Sequence, residues 1–305
     1  MRRSDLLAAA ALAAGLAVVV AHPAPASAFC RTSVCNDATN EVCMPMVAGN
    51  CGIPLAWPSP CVGYSIQEGA SEQLSLEQTE AIFAQSFAAW TEADCGGGAT
   101  PRIQVSYAGP VACDQHEYNQ DKGNANIMVY RDDGWPHAGA DSTLALTTVT
   151  YNLDDGAIYD ADMELNSAEV QFTTGDVGVV FDLQSIVTHE AGHFLGLSHS
   201  AEGDATMNRG YMPGSLALRD LSADDIAGIC AAYPPGAPIS GCDPTPRHGF
   251  SGDCAEEQDS EESGGCGVAA AGARGFAGRG GAIAAAALGL LAAAGAARRR
   301  RAGRR

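Results

Sequence analysis

The stretch THEAGHFLGLSHS, residues 188–200, concentrates the side chains most able to do chemistry. His189 and His193 are four apart, so on a helix turning about 100° per residue they share a face. His199 follows His193 by six residues. A continuous helix would carry it roughly 9 Å further along and onto another face. It meets the other two only if the chain breaks and turns back. Gly196 stands where that break is needed, because glycine ends helices with positive φ at no steric cost. Three neutral imidazoles at one point suit zinc, and they leave a fourth tetrahedral position open, as a catalytic site requires. Water bound there has its pKa lowered from about 15.7 to about 7. Glu190 neighbours the first ligand and leans beside the metal, the place for a general base.

His189-Glu190-x-x-His193-x-x-Gly196-x-x-His199 is the metzincin signature. With Ser200 after it, the run HEAGHFLGLSHS resembles the matrixin branch, the matrix metalloproteinase family. Met207, eight residues after His199, matches the family's methionine turn, and Tyr211 matches the tyrosine that helps line its S1′ pocket. Asn208 and Arg209 depart from the Tyr and Pro usual there. The resemblance implies an α+β, zincin-like catalytic domain, a twisted mixed sheet of about five strands with three helices. It implies a zinc endopeptidase in which the edge strand LALTTVTY, containing Ala145, pairs with the substrate backbone. Matrixins also hold a second, structural zinc through histidines and an aspartate. In the loop just before the strand LALTTVTY only His137 is offered, and Asp162 stands where a ligand histidine would be. The expectation is therefore one catalytic zinc. GNCGIP, residues 49–54, resembles the family's cysteine switch, but it lacks the preceding Pro-Arg and the following Asp. Ten body cysteines pair without remainder only if Cys51 is oxidised, so Cys51 is expected in a disulfide.

The elements that must position this site follow from patterning. VGYSIQ, RIQVSY, NIMVYR and LALTTVTYNL read as strands by their β-branched and aromatic residues. SLEQTEAIFAQSFAAW reads as a helix, with a Ser75–Gln78 capping box and an apolar stripe of Ile82, Phe83, Phe87 and Trp90. The zinc helix is expected over about 177–195. A last helix in LSADDIAGICAAYPP has Ser222 as N-cap and a stop at Pro234-Pro235. AIYDADMELN reads as one more strand. Its Asp160, Asp162 and Glu164 alternate on one face, either as hard ligands for calcium or as an exposed acidic face.

Residues 1–28 carry Arg2 and Arg3, an apolar run and a small-residue cleavage site, the pattern of a secretory signal peptide. Residues 29–54 are a cysteine-rich lead, 55–236 the protease domain and 237–265 a Gly/Pro/acid-rich linker poor in core formers. Residues 266–305 hold Cys266, a marginal apolar span and an arginine cluster, and they resemble the sorting tails of myxobacterial surface proteins. A plain membrane anchor is the alternative. Residues 29–266 carry 7 Lys plus Arg against 35 Asp plus Glu, a surface that repels nucleic acid. The even count of ten body cysteines, Cys266 set aside, suits an oxidising compartment. The expectation is thus a monomeric, exported or surface-anchored zinc endopeptidase acting on proteins or peptides, touching membrane only through its tail. The alternative is a catalytically silent surface-binding protein that keeps the fold.

Overall fold

The computed structural model describes residues 29–34, 52–255 and, as backbone, 283–292. The expected signal peptide, Cys51 and Cys266 lie outside the described residues. Five strands make the body of the main sheet, in the order β3–β2–β4–β6–β5. They are β2 (Cys61–Gln67), β3 (Gln104–Val111), β4 (Ile127–Tyr130), β5 (Thr143–Asn152) and β6 (Ile158–Leu165). The first four in that order pair in parallel, and β5 closes the edge antiparallel to β6. A short β1 (Cys30–Arg31) precedes them and pairs with β9 (Leu197–Ser198), just past the helix that carries His189 and His193.

Helix α1 (Leu76–Thr91) starts at the predicted capping box: Ser75 accepts from the Gln78 amide, and the Gln78 side chain returns the contact. Its stripe of Ile82, Phe83, Phe87 and Trp90 is buried. Phe87 packs edge-on against Phe194 of α2 (Leu183–Phe194), with ring centroids 5.0 Å apart. Both helices share one core with the sheet, α2 lying against α1 and β5. Helix α3 (Ala223–Ala232) begins at Ser222, as expected, with Asp225 completing a second capping box.

Helix α2 begins six residues later than sequence patterning predicts. Asp182 ends the preceding β8 (Phe181–Asp182), which pairs with β7 (Phe172–Thr173). Its carboxylate caps the helix through the Ser185 amide and accepts two charge-assisted bonds from Arg219, at 2.8 and 2.6 Å. Val177 and Val180 therefore lie in an exposed loop and not on the helix.

The described part of the expected linker, 237–255, is not free. Disulfides Cys61–Cys242 and Cys113–Cys254 tie it to β2 and to the end of β3. Phe250 bridges to Asn124, and Arg247 lies 4.1 Å over the Tyr159 ring. Covalent bonds hold here what apolar residues would hold elsewhere, so composition alone misreads the strap. A third disulfide, Cys95–Cys230, ties the loop after α1 to α3.

The apolar stretch expected to enter a membrane supplies β11 (Ile283–Ala292). Its backbone runs antiparallel to the outer edge of β5, from Ile283 opposite Asn152 to Leu290 opposite Ala145. It runs parallel to β10 (Gly210–Tyr211) on its other side. No helix among the described residues is long and apolar enough to cross a membrane.

The strap makes a measurable prediction. The double variant Cys61→Ser/Cys242→Ser releases a cross-link between residues 181 apart in sequence. Urea unfolding is expected to register a loss of roughly 2–5 kcal/mol, and limited trypsin digestion to cut after Arg247. An unchanged midpoint with Arg247 still protected would count against the strap.

Candidate active site

Histidines 189, 193 and 199 converge as their spacing demands. Helix α2 carries the first two on one face, and their ring centroids are 4.8 Å apart. The helix ends at Leu195, and Gly196 takes a φ of 85°. A Cβ at Gly196 would also sit 2.6 Å from the Leu55 carbonyl oxygen, so that position is restricted both by its conformation and by its neighbour. The turn brings the His199 ring to 4.7 Å from that of His193 and 5.3 Å from that of His189.

Backbone carbonyls hold two of the rings. His189 Nδ1 donates to the Thr206 carbonyl at 2.6 Å, and His193 Nδ1 to the Leu197 carbonyl at 2.9 Å. Each bond selects the tautomer whose Nε2 carries a lone pair. The Nε2 atoms of His193 and His199 are 3.2 Å apart. His189 Nε2 is buried and has no hydrogen-bond partner. Burial, then repulsion from His199, pushes the His189 pKa down to about 3. Burial, with the neighbouring rings, likewise depresses His193 well below the ordinary imidazole value. Burial thus favours the neutral form of His189 and His193, the form that binds metal. A buried, unpartnered nitrogen beside two others is the donor set zinc requires, so these residues fit the metal their spacing implies.

Glu190 is fully buried on the same helix. Its Oε2 accepts a 2.6 Å hydrogen bond from Thr147 Oγ1 of β5. Sequence patterning assigns Thr147 no role, because only the sheet's register brings it to the glutamate.

Beneath the rings lies the methionine turn. Met207 is buried, and its carbonyl accepts from the Ser200 amide, fixing the chain just past His199. Asp225, at the start of α3, accepts from the Thr206 amide at 2.7 Å and the Met207 amide at 3.0 Å. One carboxylate thus anchors the turn whose Thr206 carbonyl orients His189. Tyr211 is buried too: its hydroxyl accepts from the Asp182 amide and donates to the Ser215 carbonyl, both at 2.8 Å. Ala145 lies on β5, between Leu165 of β6 and Leu290 of β11.

Asp160, Asp162 and Glu164 share a face of β6, but that face is buried, not exposed. Asp162 accepts from the Ile127 amide at 2.7 Å and the Glu117 amide at 2.9 Å. Burial raises its pKa to about 7 even so, and burial with Asp162 close by raises Asp160 well above the carboxylate range. Among the described residues these three do not form a group close enough to share one ion. Glu164 faces instead His116 and His137.

The mixed sheet, the helix bearing two histidines and the returning third define a metzincin-type metalloprotease scaffold. Residues 56–234 match the family model described as matrixin, and the chain belongs to that family. It is similar to metalloendoproteinase 1-MMP of Arabidopsis thaliana, 27% identical over 189 residues, covering 59% of this chain and 44% of the relative. It is also similar to matrix metalloproteinase-20 of Homo sapiens, 33% identical over 118 residues, covering 37% of this chain and 23% of the relative. Matrix metalloproteinase-C of Caenorhabditis elegans is 24% identical over 221 residues, with 63% and 33% covered. The chain thus spans less than half the length of each of these relatives.

Gly192, between Glu190 and His193, tests how tightly the floor is packed. A Cβ there would sit 2.2 Å from Met207 Sδ and 2.8 Å from Trp90 Cζ2. Gly192→Ala is expected to cost roughly 1–3 kcal/mol by overpacking, in spite of alanine's better helix propensity. Denaturant unfolding of the two proteins measures it; equal stability would mean that the methionine turn yields freely.

Proposed function

We propose that this chain is an exported, zinc-dependent endopeptidase in which His189, His193 and His199 hold the metal and Glu190 is the general base. The observation that carries the reading is the buried, unpartnered Nε2 of His189 aimed at the point where the other two imidazoles meet. Zinc bound there would polarise a peptide carbonyl and lower the pKa of a bound water to about 7.

The chain's own groups supply the rest. Glu190 takes a proton from the attacking water and delivers it to the leaving amine nitrogen as the C–N bond breaks. The hydroxyl of Thr147 donates to the carboxylate of Glu190, keeping it turned toward β5 and limiting its rotation. Peptide would bind by strand addition along β5, where main-chain bonds give affinity with little sequence preference. The pairing of β11 with that edge supports this: an extended backbone fits antiparallel to β5 and parallel to β10 together. Three disulfides among the described residues support an oxidising, extracytoplasmic compartment. A silent binding protein would have no need for a buried carboxylate poised beside three converging imidazoles.

Glu190→Ala is expected to retain zinc by elemental analysis while kcat on a quenched-fluorescence peptide falls about 10²–10⁴-fold. Retained activity would refute the role of Glu190, and metal lost along with activity would make it structural. Thr147→Val removes only the hydroxyl that orients the base. Its kcat is expected to fall about tenfold with KM nearly unchanged, and a rise in KM alone would reassign Thr147 to substrate binding.

A further inference from the structure

A second group of potential ligands gathers at Glu164 of β6, distinct from the three histidines 189, 193 and 199. Glu164 is fully buried, at a register position between Val129 of β4 and Leu146 of β5. Its Oε1 accepts from Arg131, at 2.6 Å from Nε and 2.5 Å from a terminal nitrogen. Its Oε2 faces His137 Nε2 at 2.8 Å and His116 Nδ1 at 3.2 Å. His116 comes from the loop between β3 and β4, and His137 from the loop between β4 and β5. The three ligand atoms lie within 4.8 Å of one another, as do those of the catalytic histidines.

We propose that Glu164, His116 and His137 form a second metal site, for a borderline divalent transition metal such as zinc, that pins two loops to the sheet. Ligand atoms about 2.1 Å from a tetrahedral zinc are roughly 3.4 Å apart. The two contacts at Glu164 Oε2 approach that spacing, and the catalytic His193–His199 pair has 3.2 Å. Arg131 takes up Oε1 of Glu164, which leaves Oε2 to the two imidazole nitrogens. A donor set of two imidazoles and one carboxylate suits zinc better than calcium, which takes six or more oxygens.

The surroundings hold the ligands in place. Arg131 also donates to the Asp114 carbonyl at 2.6 Å, drawing in the loop that carries His116. Trp135 meets the His137 ring edge-on, with centroids 5.0 Å apart. His116 is 44% exposed, which gives an ion a route in and water access to the remaining coordination position. These residues differ from the second-zinc set that the family resemblance implies. The Asp162 carboxylate in that region is occupied by two backbone amides, whereas Glu164, one alternation further along the strand, turns Oε2 to the two imidazoles.

The test is a metal count on the full chain carrying Glu190→Ala, stripped with a chelator, reloaded with zinc and desalted. Two zinc ions per chain are expected. Adding His116→Gln or His137→Ala should lower the count to one. Adding His189→Ala instead should also leave one ion, at the second site. Cobalt(II) reloading should give two sets of visible absorption bands, with one set lost in the His116→Gln protein. One ion in the parent, or a count of two unmoved by both His116→Gln and His137→Ala, would overturn the site and leave a hydrogen-bonded ion cluster. Should His137→Ala fail to fold, the parent count and the surface variant His116→Gln decide. The counts do not depend on peptidase activity, so failure of this site is distinguishable from failure of the proposed function.

Discussion

Two backbone carbonyls orient the centre of this molecule. Thr206 and Leu197 each accept an imidazole N–H, and in doing so turn the Nε2 atoms of His189 and His193 toward one point. Neither residue is a ligand. Both belong to chain that has left the catalytic helix, so the site exists only if that chain returns. Most of what surrounds the site serves that return: the turn at Gly196, the bond from the Met207 carbonyl to Ser200, and the carboxylate of Asp225 under the methionine turn.

The same constraint explains how helix α2 is held. Its start is fixed by Asp182 with Arg219, and its middle by the Trp90 indole, which donates to the Thr188 carbonyl at 2.7 Å. Its far end is fixed by Trp57, whose indole donates to the Phe194 carbonyl at 2.8 Å, and by Tyr233, whose hydroxyl donates to the Leu195 carbonyl at 3.0 Å. Carbonyls of the last turn have no partner within the helix, so these two rings satisfy groups that would otherwise be buried unpaired. A site accurate to fractions of an ångström needs such supports on a rigid element.

Much of this was legible in the sequence, because its signals are local. Spacing within residues 188–200, the capping boxes at Ser75 and Ser222, and the alternation in the strands each depend on neighbours a few residues apart. Thr147, Asp225 and His116 were not legible, since each matters through a partner far along the chain. Thr147 meets Glu190 across 43 residues, and Asp225 meets Met207 across 18. The strap 237–255 was misread for a related reason: low apolar content signals a free linker only where cysteines do not replace the core. Patterning places the start of α2 too early because Val177 and Val180 continue an apolar pattern that Asp182 then interrupts as a cap.

The pairing of β11 with β5 occupies the edge proposed to take up peptide. On that proposal a segment of the same chain would compete there as a tethered ligand, whose effective concentration is set by the length of its tether and is of order millimolar for a short flexible one. A free peptide in micromolar amounts would then be outnumbered at that edge unless it paired far more strongly. The hydrogen-bonding groups of β5 are never simply exposed while the tail is docked, which also spares the sheet an open edge on which a second copy could add its own strand.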